Sequence, residues 1–282
     1  MILFKKSADI QNYIVTHRKK KRRIGFVPTM GALHEGHITL VHTCKKENDV
    51  TICSIFINPK QFNDPHDYKK YPVALENDIY LLEKTGCDVL FLPSVNEIYP
   101  GSIDGKHYDL GHIETILEGY YRPGHFQGVC QVVHKLLDIV EPDQLYLGQK
   151  DYQQCMVIKT LIGLLGKSKE INVHISPTKR EADGVAMSSR NLRLIKEDRQ
   201  KAPAIYQALT NIKNNLKADN LKQIKESSKE MLTQKGFKVD YVEIADSTTL
   251  ESINNWDGNR KLVALIAVYI NDVRLIDNML LN

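Results

Sequence analysis

Two histidines, His34 and His37, lie three residues apart, directly after an apolar run that ends in a turn containing Pro and Gly. Apolar residues from Ile38 onward follow at helical spacing, which predicts a buried strand, a tight turn and a helix that begins at these histidines. Side chains at positions i and i+3 share a helix face, and the free N–H groups of a first turn favour phosphate. Imidazoles at this place can donate hydrogen bonds to triphosphate oxygens.

Two other interpretations of the histidine pair remain open. A zinc site of the zincin type needs His-Glu-x-x-His with ligands four apart, whereas His34 and His37 are three apart, and no Cys-x-x-Cys completes a metal shell. Ordinary surface histidines are the other alternative. The turn with Pro28, Gly31 and Gly36 around the pair disfavours it, because such a turn is specialised.

Further motifs follow the histidines in a fixed order along the chain. His-Glu-Gly-His after a strand resembles the HIGH-motif signature of adenylate-forming nucleotidyltransferases related to class I aminoacyl-tRNA synthetases. The later motifs are Asn-Pro-Lys-Gln-Phe at 58–62, Arg-Pro-Gly-His-Phe-Gln-Gly-Val at 122–129, Gly-Gln-Lys-Asp-Tyr-Gln-Gln at 148–154 and Met-Ser-Ser-Arg-Asn at 187–191. Together with residues 28–37, this series resembles the pantothenate synthetase (pantoate–β-alanine ligase) family. Val-Asp-Tyr-Val-Glu at 239–243 is similar to that family's second domain, so the likeness covers nearly the whole chain.

The resemblance implies an ATP-dependent ligase that joins pantoate to β-alanine through a pantoyl adenylate, with release of AMP and pyrophosphate. A carboxylate is a poor electrophile until it bears a good leaving group, so the protein must orient the reactants and stabilise charge that moves onto pyrophosphate. No enzyme nucleophile is required, and the five cysteines need no catalytic role. We expect Mg²⁺ to accompany the phosphates of ATP, and the resemblance also implies a homodimer.

The resemblance places the nucleotide on three of the motifs. Lys150 offers a compact ammonium to a phosphate, although a surface pair between Lys150 and Asp151 is the alternative. Asp151 is expected to cap the following helix or hold the ribose. The predicted catalytic residues are His34, His37, Lys150, Ser188, Ser189 and Arg190, and the predicted ATP-binding residues are Met30, Gly31, Ala32, Leu33, His34, Glu35, Gly36, His37, Gly148, Gln149, Lys150, Asp151, Lys179, Met187, Ser188, Ser189 and Arg190.

The segment from Met187 to Arg190 resembles the mobile Lys-Met-Ser-Lys-Ser loop of the superfamily. Its two hydroxyls and its guanidinium supply several donors to phosphate oxygens. Ala186 stands where that superfamily has a lysine. Lys179 lies where the family contacts adenine through the main chain, so its side chain predicts nothing by itself.

The resemblance places pantoate beside neutral amides. Gln61 and Gln154 can bind a hydroxyl and a carboxylate without adding an opposing charge, although either amide is also compatible with a simple loop hydrogen bond. We expect His125 to shape the pocket together with Arg122. The predicted substrate-binding residues are Gln61, Gln154, Asn58, Tyr71 and Arg122.

Asp78 resembles a position linked to magnesium in this family, directly or through water. Its neighbour Asn77 has no charge. The alternative for Asp78 is a solvated helix face.

Apolar segments alternate with helical patterns through the first two thirds of the chain, which predicts an α/β fold with a Rossmann-like, doubly wound parallel sheet. The predicted strands are 24–27, 50–57, 89–92, 144–147 and 173–175, and the predicted helices are 38–46, 73–84, 126–140 and 152–165. Ligands of such sheets bind beyond the carboxyl ends of the strands, where these motifs lie. We expect residues 1–176 to bind nucleotide and pantoate.

The remaining residues, 177–282, predict a smaller α+β C-terminal domain that covers the active site. Its predicted elements are helices at 197–216 and 221–236 and antiparallel strands at 237–245, 261–270 and 273–276, with Asn271-Asp272 as a turn.

Composition excludes several classes of protein. The chain has 282 residues, 42% of them hydrophobic and 26% charged, and its formal net charge is +4. The basic run at 17–23 is a candidate nucleic-acid patch, but the end of a solvated helix explains it equally simply, and we expect no nucleic-acid partner. No segment is apolar enough for the membrane or for secretion, and the odd number of cysteines predicts reduced thiols in the cytoplasm.

Two further functions remain open beside the ligase. One is another adenylyl-transferring enzyme that acts on a different acid, which the motifs around Gln61 and Arg122 disfavour. The other is a non-catalytic binding protein on the same fold. The presence of His34, His37 and Lys150 disfavours this second alternative.

Overall fold

The computed structural model describes residues 1–63, 65–101 and 105–282, except for the side chains of Pro65 and His66. Contacts group these residues into two compact units. Met1–Gly148 and Gln154–Pro177 form the first unit, and Gln149–Gln153 and Thr178–Asn282 form the second.

Strands and helices alternate along the first unit and are grouped in the second. The strands are β1 Ile2–Phe4, β2 Ile24–Thr29, β3 Val50–Ile55, β4 Val89–Phe91, β5 Gln144–Gly148, β6 Asn172–Ser176, β7 Lys238–Asp246, β8 Leu262–Ile270 and β9 Val273–Leu280. The helices are α1 Ser7–Lys19, α2 Glu35–Glu47, α3 Pro65–Lys69, α4 Leu75–Thr85, α5 Val95–Ile98, α6 Glu118–Tyr121, α7 His125–Val140, α8 Tyr152–Leu164, α9 Lys196–Lys201, α10 Pro203–Asn215 and α11 Leu221–Gln234.

The first unit contains a parallel sheet in the order β1-β4-β3-β2-β5-β6. Alternate residues of each central strand face opposite sides of the sheet. Phe26 and Ile52 pack into a core with α1, α7 and α8, whereas Val27 and Cys53 pack into a second core with α2 and α4. Both faces are therefore covered by helices, and the predicted doubly wound α/β fold is confirmed.

The second unit contains an antiparallel sheet in the order β7-β8-β9. Its buried face packs against α10 and α11 around Leu209, Ile224 and Ile266. Residues Asn271 and Asp272 connect the paired ends Ile270 and Val273 of β8 and β9, as predicted. The predicted smaller α+β part of the fold is confirmed.

The structure departs from the predicted elements in several places. β1 was not predicted, because it has only three residues and pairs at the edge of the sheet. The single helix expected at 197–216 is divided at Ala202, because Pro203 lacks an N–H and begins a new helix. Strand β9 continues through Asp277 and Asn278 to Leu280, beyond the predicted end at 276.

No helix within the described residues is both long and apolar enough to cross a bilayer.

Candidate active site

The histidine pair lies at the start of α2, where the chain leaves the carboxyl end of β2. His34 is the N-cap residue, and its Nδ1 accepts a hydrogen bond from Gly36 N at 3.2 Å. The Nδ1 of His37 accepts from His34 N at 3.3 Å, so the two side chains form a reciprocal capping box. Their ring centroids are 4.0 Å apart. The predicted helix start and the shared face of the two rings are confirmed.

This capping arrangement fixes the tautomer of both rings. A ring nitrogen that accepts a hydrogen bond has no proton, so each neutral imidazole bears its proton on Nε2. Both side chains are half-buried. His34 and His37 can therefore act as Nε2–H donors at a helix N-terminus, where the backbone N–H groups and the helix dipole also favour an anion.

Asp78 of α4 holds the turn that precedes the histidines. Gly31 and Ala32 have φ angles of +83° and +48°, in the left-handed region that costs energy for a residue with a Cβ. The Asp78 carboxylate accepts hydrogen bonds from Ala32 N at 2.8 Å and from Leu33 N at 2.7 Å. Burial raises the pKa of Asp78, and the two backbone N–H groups oppose that increase. Asp78 thus stabilises a strained turn.

The surroundings of Asp78 do not resemble a magnesium site. The solvated helix face considered as an alternative is wrong, because Asp78 is only 1% exposed, whereas its neighbour Asn77 is exposed. Both carboxylate oxygens already accept backbone N–H groups. Within 1–63, 65–101 and 105–282 no group of three or more His, Cys, Asp or Glu side chains could hold a metal ion. The metal role of Asp78 stays a prediction.

A cavity of about 250 Å³ lies beside this turn in the first unit. Met30, Gly31 and Ala32 form one wall, with Asp78 at the edge. Its other lining side chains are mostly apolar, from the ends of β3 and β4 and the start of α4. Met30, predicted to line the nucleotide site, therefore borders an open apolar space.

Gln61 lies in a buried hydrogen-bonded network directly after β3. Its Oε1 accepts from Asn58 Nδ2 at 3.3 Å, and its Nε2 lies 2.8 Å from the sulfur of Met30. The Nδ2 of Asn58 also donates to Gly128 O, and Tyr99 donates its hydroxyl to Asn58 Oδ1 at 2.9 Å. A Cβ on Gly128 would lie 2.3 Å from Lys60 O, so this close approach requires glycine. The network fixes the direction of the Gln61 amide.

Arg122 and His125 hold the backbone of Gln61. His125 Nδ1 donates to Gln61 O at 2.7 Å, so its Nε2 can accept from Arg122 Nη1 at 3.0 Å. Arg122 also approaches Gln61 O at 3.4 Å and the buried Glu118 carboxylate at 3.6 Å. Tyr99 and Glu118 were not among the predicted residues, because a single buried polar residue outside a motif gives no local signal.

The other two predicted pantoate residues also belong to the first unit. Tyr71 is buried and packs edge-on against Phe62, with ring centroids 5.7 Å apart. Gln154 is the third residue of α8 and is half-buried. Substrate binding by these residues, by Gln61, by Asn58 and by Arg122 stays a prediction.

Lys150 lies in the second unit, in the short turn Gln149–Asp151 that follows β5. Its side chain is only 15% exposed and approaches the carboxylate of Asp151 at 3.8 Å. The pair with Asp151 considered as an alternative is therefore present, but Lys150 itself is mostly buried. It lines a cavity together with Ser188 and Arg190, and these three predicted catalytic residues are brought together. Gly148 ends β5, and a Cβ there would meet no atom of the protein within 4 Å.

The serine–arginine segment follows a short hairpin of the second unit. Met187 N donates to Lys179 O at 3.0 Å, and Glu181 N donates to Val185 O at 2.8 Å. Ser188 then caps the 3₁₀ turn Ser189–Arg193 by accepting from Arg190 N at 3.2 Å. The Lys179 carbonyl therefore stabilises the hairpin, and no role in the site is assigned to the exposed Lys179 side chain. Ser189 is buried at 6% exposure.

The predicted residues thus form two sets, each within one unit. The first unit brings together the His34–His37 turn on one side and the Gln61 network on the other, joined through Met30. The second unit brings together Lys150, Ser188 and Arg190. Binding of one ATP by both sets stays a prediction.

Comparisons with known proteins agree over the whole chain. The sequence profile of the pantoate-beta-alanine ligase family matches residues 2–280. Pantothenate synthetase from Cytophaga hutchinsonii is 43% identical and aligns over 100% of this chain and 99% of its own length. Pantothenate synthetase from Porphyromonas gingivalis is 42% identical over 99% of each chain.

Solved structures give the same result for the fold. The crystal structure of pantothenate synthetase from Thermus thermophilus superposes on this chain with a TM-score of 0.90 at 37% sequence identity, over 99% of both chains. Pantoate-beta-alanine ligase from Francisella tularensis, crystallised with beta-gamma ATP and beta-alanine, has a TM-score of 0.83 at 40% identity, over 99% of this chain and 97% of its own. This chain belongs to the pantoate–β-alanine ligase family.

Proposed function

We propose that this enzyme condenses pantoate with β-alanine to form pantothenate, a precursor of coenzyme A, by way of a pantoyl adenylate. One observation supports the proposal most strongly. In a chain that matches the ligase family from residue 2 to residue 280, both histidines at the start of α2 have their Nδ1 atoms engaged in capping. In this tautomer, Nε2–H is the ring donor that each histidine can offer to a phosphate.

In the first step, an oxygen of the pantoate carboxylate attacks the α-phosphorus of ATP, and the bond to the bridging oxygen of pyrophosphate breaks. Negative charge moves onto that leaving oxygen. His34 and His37 donate hydrogen bonds from Nε2 to the leaving pyrophosphate, and His37 keeps its proton, because a neutral imidazole that lost it would become an imidazolate. Lys150, Ser188 and Arg190 supply an ammonium, a hydroxyl and a guanidinium for the other phosphate oxygens.

In the second step, the free amine of β-alanine attacks the activated carbonyl carbon of the adenylate. The carbon–oxygen bond to AMP breaks, the amide forms, and the amine loses a proton. AMP therefore retains one oxygen that came from the pantoate carboxylate. The enzyme's part is orientation of two bound reactants, which lowers the entropic cost of their encounter.

Gln61 and Gln154 are proposed to bind pantoate, with Asn58 and Tyr71 beside them. The Gln61 amide is already directed by Asn58 and Met30, so little side-chain entropy is lost when a ligand binds it. Arg122 acts through the Gln61 carbonyl and His125 in this proposal.

Four further points complete the proposal. Mg²⁺ is proposed to arrive on the ATP phosphates, which are its usual ligands in such enzymes. Asp78 is proposed to hold the histidine turn, and no step is assigned to it as a ligand. The enzyme is proposed to work in the cytoplasm and to form a homodimer.

The proposal is tested by measuring pyrophosphate release from ATP and Mg²⁺ with a panel of carboxylic acids, each with and without β-alanine. Pantoate alone should give a small burst, and added β-alanine should turn it into continuous release with pantothenate as the product. Among the acids, only pantoate should raise the melting temperature strongly in the presence of ATP. Release with a different acid would indicate another adenylate-forming enzyme, and release with none would indicate a binding protein.

A further inference from the structure

Strand β9 contains two consecutive polar residues that are both buried. Asp277 is 4% exposed and Asn278 is 2% exposed, within a strand whose Val273 and Leu275 pack into the core of the second unit. A buried polar side chain costs free energy unless its hydrogen bonds are made, so the partners of these residues indicate what they do.

Asn278 holds the backbone on both sides of the Gln149–Lys150 peptide bond. Its Nδ2 donates to Gln149 O at 2.9 Å and to Lys150 O at 2.8 Å. Its Oδ1 accepts from Gln149 Nε2 at 3.1 Å. One side chain thus fixes two successive carbonyls, and with them the backbone from which the Lys150 side chain extends.

Asp277 holds the second phosphate-binding segment in the same way. Its carboxylate binds Arg180 in a bidentate pair, at 2.6 and 3.0 Å, and it also accepts from Asn278 N. Arg180 donates in turn to Gly184 O and to Asn278 O. Because Arg180 and Gly184 belong to the hairpin that leads to Met187, this pair fixes the base of the serine–arginine segment.

We propose that Asn278 is a positioning residue that acts through Lys150, and that Asp277 acts through Arg180 on the segment 187–190. The inference rests on the proposed function in taking Lys150 and the segment 187–190 as phosphate ligands. Without Asn278, two buried carbonyls lose their donor, and the Gln149–Asp151 turn can rotate away from the cavity that Lys150 lines. The ammonium would then meet the nucleotide in several orientations instead of one.

The experiment measures ATP affinity by titration calorimetry with Mg²⁺ for the full-length protein and for Asn278→Ala, Lys150→Ala and the double variant. Asn282→Ala is the matched control. Asn282 lies at the same end of the chain and makes the same kinds of bond, from its Nδ2 to Arg260 O and from Leu262 N to its Oδ1. These bonds hold the strand ends of the second sheet rather than the Lys150 turn.

Asn278→Ala should weaken ATP binding about tenfold, but should weaken it no further once Lys150 is alanine, because residues of one network are non-additive. Asn282→Ala should leave ATP affinity unchanged even where thermal stability falls. The inference would be overturned if Asn278→Ala lowered ATP affinity equally in the wild-type and Lys150→Ala proteins. It would also be overturned if a folded Asn278→Ala protein bound ATP with wild-type affinity. If Asn278→Ala does not fold, Asn278→Ser keeps one donor and should show an intermediate loss with the same dependence on Lys150.

Failure of this inference can be told apart from failure of the proposed function. ATP binding needs neither pantoate nor turnover, whereas the proposed function is judged by pantoate-dependent pyrophosphate release from the unaltered enzyme. A wild-type enzyme that turns over while Asn278→Ala binds ATP normally would contradict only the positioning role. If the wild-type enzyme is inactive with pantoate but the single and double variants show the expected ATP affinities, only the substrate assignment is contradicted.

Discussion

The two regions proposed to bind phosphate are stabilised in different ways. The His34–His37 pair is held largely by its own segment, since each ring caps a backbone N–H no more than three residues away. Lys150 is held from Asn278, 128 positions further along the chain. A turn that is held by its own residues can be recognised from a short stretch of sequence. For a segment held from a distant strand, the local sequence shows the candidate ligand residues but not the distant residues that hold them in place.

The largest expected effect tests the self-contained region. His37→Ala removes one Nε2–H donor at the start of α2, and turnover should fall roughly 10²–10⁴-fold. Steady-state pyrophosphate release measures the change. His42→Ala is the control, because His42 lies on the same helix but is exposed. Unchanged turnover in His37→Ala would contradict the catalytic role proposed for His37. An equal fall in His42→Ala would show that the loss is not specific to the start of the helix.

The acid site should show a more selective effect. Gln61→Ala should lower kcat/KM for pantoate by about tenfold to a hundredfold, while KM for ATP changes little. This factor corresponds to the free energy of one hydrogen bond to a charged group. Gln61→Glu should be worse, because it adds a charge of the same sign as the pantoate carboxylate.

The control for Gln61 is Gln131→Ala, which loses an amide bonded to Lys60, the chain neighbour of Gln61. It should leave both kinetic constants near their wild-type values. An equal loss of pantoate and ATP use in Gln61→Ala would make Gln61 a structural residue.

Asp78 is the exception within the first region, because it supports the turn before the histidines from a distant helix. Asp78→Ala leaves the N–H groups of Ala32 and Leu33 without their carboxylate acceptor, at about 1–3 kcal/mol of unfolding free energy for each. Urea unfolding measures the loss, and Asn77→Ala on the exposed side of α4 should cost far less. Restoration of Asp78→Ala activity by excess Mg²⁺ would instead make Asp78 a metal-linked residue.

The smallest effect concerns a local ion pair of the second region. The Arg199 guanidinium, which donates to Asp183 at 2.7 Å, lowers the pKa of that carboxyl below its usual value of 3.8. The ionised pair therefore stabilises the hairpin above that value, and the contribution disappears as the pH falls through the lowered pKa.

Asp183→Asn should accordingly lower the unfolding free energy by less than about 1 kcal/mol near neutral pH, because the pair is partly exposed. The difference from wild type should shrink as the pH falls below 3.8 and through the lowered pKa of Asp183. A difference that stays constant with pH would show that the ion pair does not contribute. A large difference at neutral pH would show that this hairpin is held locally rather than from Asp277.

Much of the fold could be predicted because the central strands are buried on both faces. Segments such as 24–27 and 89–92 are continuous apolar runs between helical patterns, and such runs predict parallel strands. The end of β9 could not be predicted in this way. Asp277 and Asn278 are residues typical of turns, and only their partners on segments far away in sequence explain why they lie buried in a strand.

The same limit applies to the candidate site. His34, Gln61 and Lys150 belong to contiguous motifs that a sequence displays, and their types suit phosphate and carboxylate ligands. Asn278 bonds directly to Lys150, whereas Tyr99 and Glu118 act on Gln61 through Asn58 and Arg122. No spacing rule relates the two groups, because tertiary packing alone brings them together.

The central claim is that an adenylate of pantoate links ATP to the amide product, and the fate of one oxygen tests it most directly. Pantoate labelled with oxygen-18 in its carboxylate is incubated with ATP, Mg²⁺, β-alanine and the enzyme, and the nucleotide product is examined by mass spectrometry. The account predicts AMP that bears one labelled oxygen. Unlabelled AMP, or ADP with labelled orthophosphate, would contradict it.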